Sequence, residues 1–171
     1  MNGLPISVLL TSFETWLPHQ VSNASDDLLQ LLIDRAALPD RARCLRHLPV
    51  DFDRAPQLVL QAIAHDRPRI VLLCGMAEGR SHLSLEAQAQ HQGSCLATTV
   101  DLPTLIRQTQ FSQISTDAGN FVCNRLYYRV LQWALLERYS GQVLFLHVPP
   151  LSDRNRELIV ADMRSILDCL S

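Results

Sequence analysis

The sequence predicts an α/β protein: a single-domain, open, twisted, mostly parallel sheet with helices on both faces, spanning residues 1–171. Three observations predict it. Short β-rich apolar runs alternate with amphipathic stretches of helical period from the start of the chain. The runs at Ile70–Cys74 and Val143–Val148 are apolar at almost every position, as in strands covered on both faces. The length of 171 residues is about one domain's worth, and no linker, repeat or low-complexity segment divides it.

Each element has its own signals. Ile6 to Thr11 is a candidate buried strand, so Met1 to Leu10, which lacks a basic leader, reads as a first strand and not a signal peptide. Asn23 caps a helix carrying Leu28, Leu29, Leu31, Leu32 and Ala36, with Asp26 and Asp27 in the first turn where the helix dipole favours acids. Pro39 stops it. Residues 43–50 form a second strand, Ala55 to Ala64 a second helix, and Ile70 to Cys74 a third strand. Residues 83–100 hold short alternating pieces around Gly93, a hairpin or extended arm. A short helix opens at Pro103, and Ile114 to Thr116 is a brief strand. Phe121 to Arg138 is a long helix with Val122, Leu126, Val130, Leu131, Ala134 and Leu135 on one apolar stripe. Val143 to Val148 is a strand, and residues 153–170 make a closing helix.

Composition narrows the chemistry. The net charge is −2, which supplies no positive field for a nucleic acid. All 15 basic residues are arginine, which excludes Schiff-base chemistry, a lysine base and Walker-type phosphate binding. No apolar run reaches membrane-spanning length. The five cysteines (Cys44, Cys74, Cys95, Cys123 and Cys169) are scattered and lack zinc-site spacing. Free thiols in odd number suit a cytoplasmic protein.

Open α/β sheets gather their sites outside the carboxyl ends of the strands. Cys123 lies there, near the start of the long helix, where the dipole lowers a thiol pKa and exposed N–H groups can hold an oxyanion. The plainer reading is an inert buried cysteine. His147 closes the last strand and could serve as its base, or simply be a hydrogen-bonded structural histidine. Glu86, in an alternating apolar frame, could orient the imidazole; its plainer reading is a solvated surface acid. Phe13 and Trp16 could wall a slot for a flat ring or be ordinary packing. Gly75–Arg80 has two glycines but not the spacing of a nucleotide loop.

Taken together, these segments resemble the pyroglutamyl peptidase family of cysteine peptidases. Ala118-Gly119-Asn120-Phe121-Val122-Cys123-Asn124 is similar to the family's A-G-T-F-V-C-N, and Leu146-His147-Val148-Pro149 to its I-H-V-P. Gly75-Met76-Ala77-Glu78-Gly79-Arg80, then Glu86, resembles G-Q-A-G-G-R followed by E. Leu48-Pro49-Val50-Asp51-Phe52, with Ala55, resembles L-P-V-x-F-x-x-A. Thr11-Ser12-Phe13-Glu14-Thr15-Trp16, then Asn23, resembles T-G-F-x-P-F followed by N-P-S.

The resemblance implies Cys123 as nucleophile, His147 as base and then acid, and Glu86 as orienter. It implies Phe13, Trp16, Asn23, Met76 and Val122 around the substrate, and a cytoplasmic homo-oligomer. The reaction implied is cleavage after an N-terminal pyroglutamate through an acyl-thioester. The sequence departs from the family at Met76, which replaces glutamine; at Trp16, which replaces phenylalanine; and at Ser12 and Leu17, which replace glycines. The segment after Glu86 is shorter and lacks A-R-I-P-D-N, with Leu96 near the expected arginine. The other reading is a non-catalytic or altered-specificity member that binds a small cyclic amide or a protein terminus.

Overall fold

A computed structural model describes residues 6–170; residues 1–5, and with them the first half of the Met1–Leu10 segment, lie outside the described residues, as does residue 171. The expected alternation is present as β1 (Val8–Phe13), α1 (Ala24–Asp34), β2 (Ala42–Leu48), α2 (Arg54–Asp66) and β3 (Ile70–Met76). It continues as β4 (Leu83–Glu86), β5 (Gln88–His91), β6 (Ser94–Ala97), α3 (Leu102–Ile106), β7 (Ser112–Ser115), α4 (Val122–Leu136), β8 (Gln142–Val148) and α5 (Arg156–Leu170). The main sheet runs in the order β2-β1-β3-β8-β4-β7.

The four strands β2, β1, β3 and β8 are parallel to one another. β4 runs antiparallel to β8. The connection over residues 77–82 is too short for the crossover that a parallel return needs. β7 then pairs parallel to β4.

Side-chain parity sorts the core into two layers. Leu72, Cys74, Leu144 and Leu146 pack with α1, α3 and α5 on one face. Leu9, Val71, Leu73, Val143 and Phe145 pack with α2 and α4 on the other. Successive strand residues point to opposite faces, so each all-buried strand feeds both layers.

Two local expectations are corrected. Phe13 is the last residue of β1, not part of the loop after it, because β1 continues pairing with β2 past a bulge to Leu48. The apolar stripe on α4 does not stay buried to its end: Leu135 is 68% exposed, while Trp133 and Ala134 beside it pack against the core. The hairpin expected around Gly93 is present as β5–β6, a separate two-stranded sheet that packs on α4.

Candidate active site

Strand register assembles the site. Gly75 of β3 lies opposite His147 of β8. On the other side of β8, Ser84 of β4 lies opposite His147 and Glu86 opposite Phe145. Gly75, His147 and Glu86 therefore share the parity of Phe145, the face covered by α4. Cys123 is the second residue of α4 and comes down onto this face.

The approach is close. A Cβ built on Gly75 would stand 2.6 Å from Cys123 Sγ and 2.9 Å from Cζ of Phe145. Only a glycine lets the sulfur sit there, directly over the strand neighbour of His147. Parity also separates the cysteines: Cys74 belongs to the opposite core layer, where burial pushes its thiol strongly up.

His147 Nδ1 is 2.7 Å from Glu86 Oε1. An ionised carboxylate can only accept, so Nδ1–H donates and Nε2 is left as the basic nitrogen. Glu86 is fully buried, which overturns its reading as a solvated surface acid. The reason is tertiary: β4 is inserted between β8 and β7. Arg80 Nη1 forms an ion pair with the same oxygen, Oε1, at 2.9 Å. Tyr127 of α4 donates its hydroxyl to the Glu86 carbonyl at 2.9 Å, tying the helix to the strand.

The thiol itself corrects an expectation. Burial pushes Cys123 up to about 12, with its own backbone N–H pulling the other way and the charge on Glu86 adding to the rise. Desolvation of the thiolate is the largest influence, and it opposes the lowering that a place at a helix terminus predicts. Cys123 at rest therefore holds its proton and needs a base to remove it. The amino end of α4 is open for charge that develops later. Its cap residue, Phe121, makes no side-chain bond, and the first helical amide bond runs from Arg125 to Phe121. The preceding first-turn N–H groups are free of helix partners.

Every residue expected around the substrate lines one cavity of about 90 Å³. Phe13, Trp16, Asn23, Met76 and Val122 are there, together with Cys123 and His147. Val50, Ala118 and Phe121 complete the wall, none of them singled out from the sequence. Phe121 packs its ring against Trp16 (centroids 5.9 Å apart) and edge-on against Phe52 (5.5 Å). A wider cleft of about 600 Å³ opens at the amino ends of β3 and β8, beside Arg67, Arg69 and Arg138, and holds none of these residues.

The polar atoms of this cavity are largely engaged. Asn23 caps α1 by accepting from Ser25 N–H at 3.1 Å and donates Nδ2–H to the Glu14 carbonyl at 3.1 Å. Met76 Sδ accepts the N–H of Ala24 at 3.3 Å, so the thioether finishes the α1 terminus. Gln20 Oε1 accepts from Trp16 and Leu17 N–H groups, and Gln20 Nε2 donates to Glu78 at 3.1 Å, which fixes the loop bearing Trp16. Asn124 joins the hairpin to α4, accepting from Gln90 N–H at 2.9 Å and donating to the Gln90 carbonyl at 2.7 Å.

Three residues escaped the sequence reading: Gly75, Arg80 and Asn124. A glycine at the end of an apolar strand run is a signal of close backbone approach and could have exposed the first. The other two close family-like motifs, Arg80 the one before Glu86 and Asn124 the one around Cys123, which was the signal available for them.

An open α/β sheet with a cysteine at a helix start and a histidine–glutamate pair beside it defines the cysteine-peptidase class of arrangement. A family model described as pyroglutamyl peptidase matches residues 6–103, and the chain belongs to that family. The matched stretch includes Glu86 and ends before Cys123 and His147. A pyrrolidone-carboxylate peptidase of Levilactobacillus brevis is 28% identical over 87% of this chain and 84% of its own. One of Vibrio vulnificus is 29% identical over 86% and 80%. Among solved structures, a mutant pyrrolidone carboxyl peptidase from Pyrococcus furiosus superposes with TM-score 0.81 at 19% identity, covering 96% of this chain and 98% of that one. Pyroglutamyl peptidase I of Bacillus amyloliquefaciens has TM-score 0.81 at 18% identity, covering 96% of each chain.

Proposed function

We propose that the protein is a thiol-dependent omega peptidase that removes an N-terminal pyroglutamyl residue from peptides. The observation that carries this reading is the bond from His147 Nδ1–H to Glu86, on the sheet face where Cys123 reaches into the cavity. Family membership supplies the substrate class. The ring of pyroglutamate lies against Phe13 and Trp16, with the carbonyl carbon of the scissile amide, outside the ring, presented to Cys123.

His147 Nε2 takes the thiol proton as sulfur attacks, forming the C–S bond. The developing oxyanion is met by the first-turn N–H groups of α4. The imidazolium, steadied by Glu86, gives the proton to the leaving amine as the C–N bond breaks. Water, deprotonated by His147, then cleaves the thioester, releasing pyroglutamate and restoring the thiol. The mechanism asks for no metal, and no cluster of three or more metal-ligating side chains is found among the described residues.

Hydrolysis of pyroglutamyl-aminomethylcoumarin tests this. Activity that a thiol reagent abolishes, and that Cys123→Ser lowers by about a thousandfold or more with the fold intact, is the expected result. Equal turnover by Cys123→Ser overturns it.

Altered specificity within the same family is favoured by one observation. The thioether of Met76 is already bonded to Ala24 N–H and has no proton to donate, so it cannot replace the amide of the family's glutamine. Action in the cytoplasm fits five free cysteines. No helix among the described residues is long and apolar enough to cross a membrane. Self-association is proposed from the resemblance to the family, and a strictly monomeric mass by light scattering would refute it.

A further inference from the structure

Arg80 stands between the two halves of the site. Its backbone N–H closes the turn after β3 by donating to the Ala77 carbonyl at 3.1 Å. Its side chain is only 23% exposed. Nη1 lies 2.9 Å from Glu86 Oε1, the oxygen that also accepts from His147. Nη2 donates to the Asp117 carbonyl at 2.6 Å. Asp117 begins the turn that leads into α4, its carboxylate accepting from the N–H of Gly119, which has φ +77.

Glu86 is fully buried, and its second oxygen has no partner among the described residues. Its charge is thus balanced through one oxygen alone. The ionisable groups gathered around the Glu86–His147 pair are Cys123 and Tyr127 from α4 and Arg80 from the β3–β4 turn. Asp117, near Arg80, turns its carboxylate back to its own loop. Arg80 is the permanent cation among them. Without it, burial would favour a protonated Glu86, or an imidazole that holds its proton too firmly to serve as a base.

We propose that Arg80 is a positioning residue that holds Glu86 as the ionised partner of His147 and, through the Asp117 carbonyl, fixes the turn that delivers Cys123. The proposal rests on the Cys123–His147–Glu86 reading above. Both tasks use the guanidinium fork, whose two nitrogens face two acceptors at fixed spacing; an ammonium is a point charge that can serve one.

The test is an NMR titration of the His147 imidazole in the parent, Arg80→Gln and Arg80→Lys, with pH profiles of kcat/KM measured alongside. Removing a cation strengthens the cluster's hold on its proton. Arg80→Gln should therefore move the His147 titration, and the acid limb of the profile with it, by about one unit, upward where Glu86 stays ionised and downward where Glu86 takes the proton. Its kcat should fall by about tenfold or more, with KM changed less than about threefold. Arg80→Lys should titrate like the parent yet keep a reduced kcat, because it cannot span both acceptors.

A purely structural brace would lower stability and leave the titration where it was. Arg80→Gln titrating like the parent overturns the proposal, and so does Arg80→Lys shifting as far as Arg80→Gln. If Arg80→Gln fails to fold, Arg80→Lys decides: parent-like titration and parental thermal stability with reduced kcat support the proposal, and full parental kcat, or a loss of kcat that follows lost stability, overturns it. The imidazole titration needs no turnover, so a parent inactive on pyroglutamyl substrates would sink the catalytic reading separately.

Discussion

Cys123, His147 and Glu86 come from α4, β8 and β4, three elements far apart in sequence, whereas Phe13, Trp16 and Asn23 come from one short stretch joining β1 to α1. The first group is held by strand register, a glycine-sized approach and a buried ion pair. The second is held by two local devices, the Asn23 cap and the Gln20 loop bonds, and by one tertiary contact, the Met76 sulfur of β3 at the α1 terminus. Beneath it, Asp26 joins Ser12 and Arg46 in a partly buried network. The reacting side is thus rigid by construction, and the ring side is open to substitution. The departures from the family at Ser12, Trp16, Leu17 and Met76 all fall on the ring side. The loop side can therefore vary while the packed side, apart from the shortened segment after Glu86, keeps the family's cysteine, histidine and glutamate.

The comparison can be broken most sharply at Gly75. Gly75→Ala drives a methyl into the Cys123 sulfur and the Phe145 ring, and a displacement on the order of 1 Å at the reacting atoms costs about a hundredfold. Turnover of pyroglutamyl-aminomethylcoumarin should drop by at least that, with KM much less affected. An unchanged kcat would show that the reacting side is not rigid.

Arg46→Met probes the support of the ring side through stability. Burial works to raise the Asp26 pKa, but the bonds from Arg46 and Ser12 overcome it and hold the carboxyl below its ordinary range. A depressed carboxyl contributes stability above its unfolded pKa and loses it as pH falls through the lower folded one. Arg46→Met should cost about 1–3 kcal/mol near neutral pH. The gap from the parent should narrow below about pH 4 in denaturant titrations. A gap that stays constant with pH would dismiss Asp26 as its source.

Met76→Gln sharpens the comparison from the other direction. The glutamine carbonyl can accept from Ala24 N–H in place of sulfur, leaving its amide N–H for the lactam. One neutral hydrogen bond is worth about 0.5–1.5 kcal/mol, so kcat/KM should rise by about tenfold. No gain would mean that residue 76 does not meet the ring.

The smallest effect is expected at Trp16, which is 36% exposed at the cavity mouth. Losing part of one aromatic wall costs about 1 kcal/mol. Trp16→Ala should raise KM by about fivefold and leave kcat nearly unchanged. A fall in kcat of the same size would show the ring wall coupled to the reacting side.

The order of strands and helices was legible from the sequence, because apolar periodicity and caps are local properties: Asn23 reads as a cap and is one. Cys123 and His147 were legible as residues placed at the carboxyl edge of a sheet, and their family motifs are compact. What tertiary structure decided is different in kind. The burial of Glu86 depends on β4 being inserted beside β8, which no stretch of residues 83–86 encodes by itself. The direction of the Cys123 pKa depends on how much solvent the packed helix excludes, an effect that opposes what a helix terminus predicts. The role of Gly75 arises only when α4 lands on β3, and that of Arg80 only when the β3–β4 turn and the 117–119 turn meet. Local pattern determines which elements form, since propensity and periodicity act over a few residues. Register and layer packing determine which side chains meet, since those contacts span tens of residues and exist only in the folded chain.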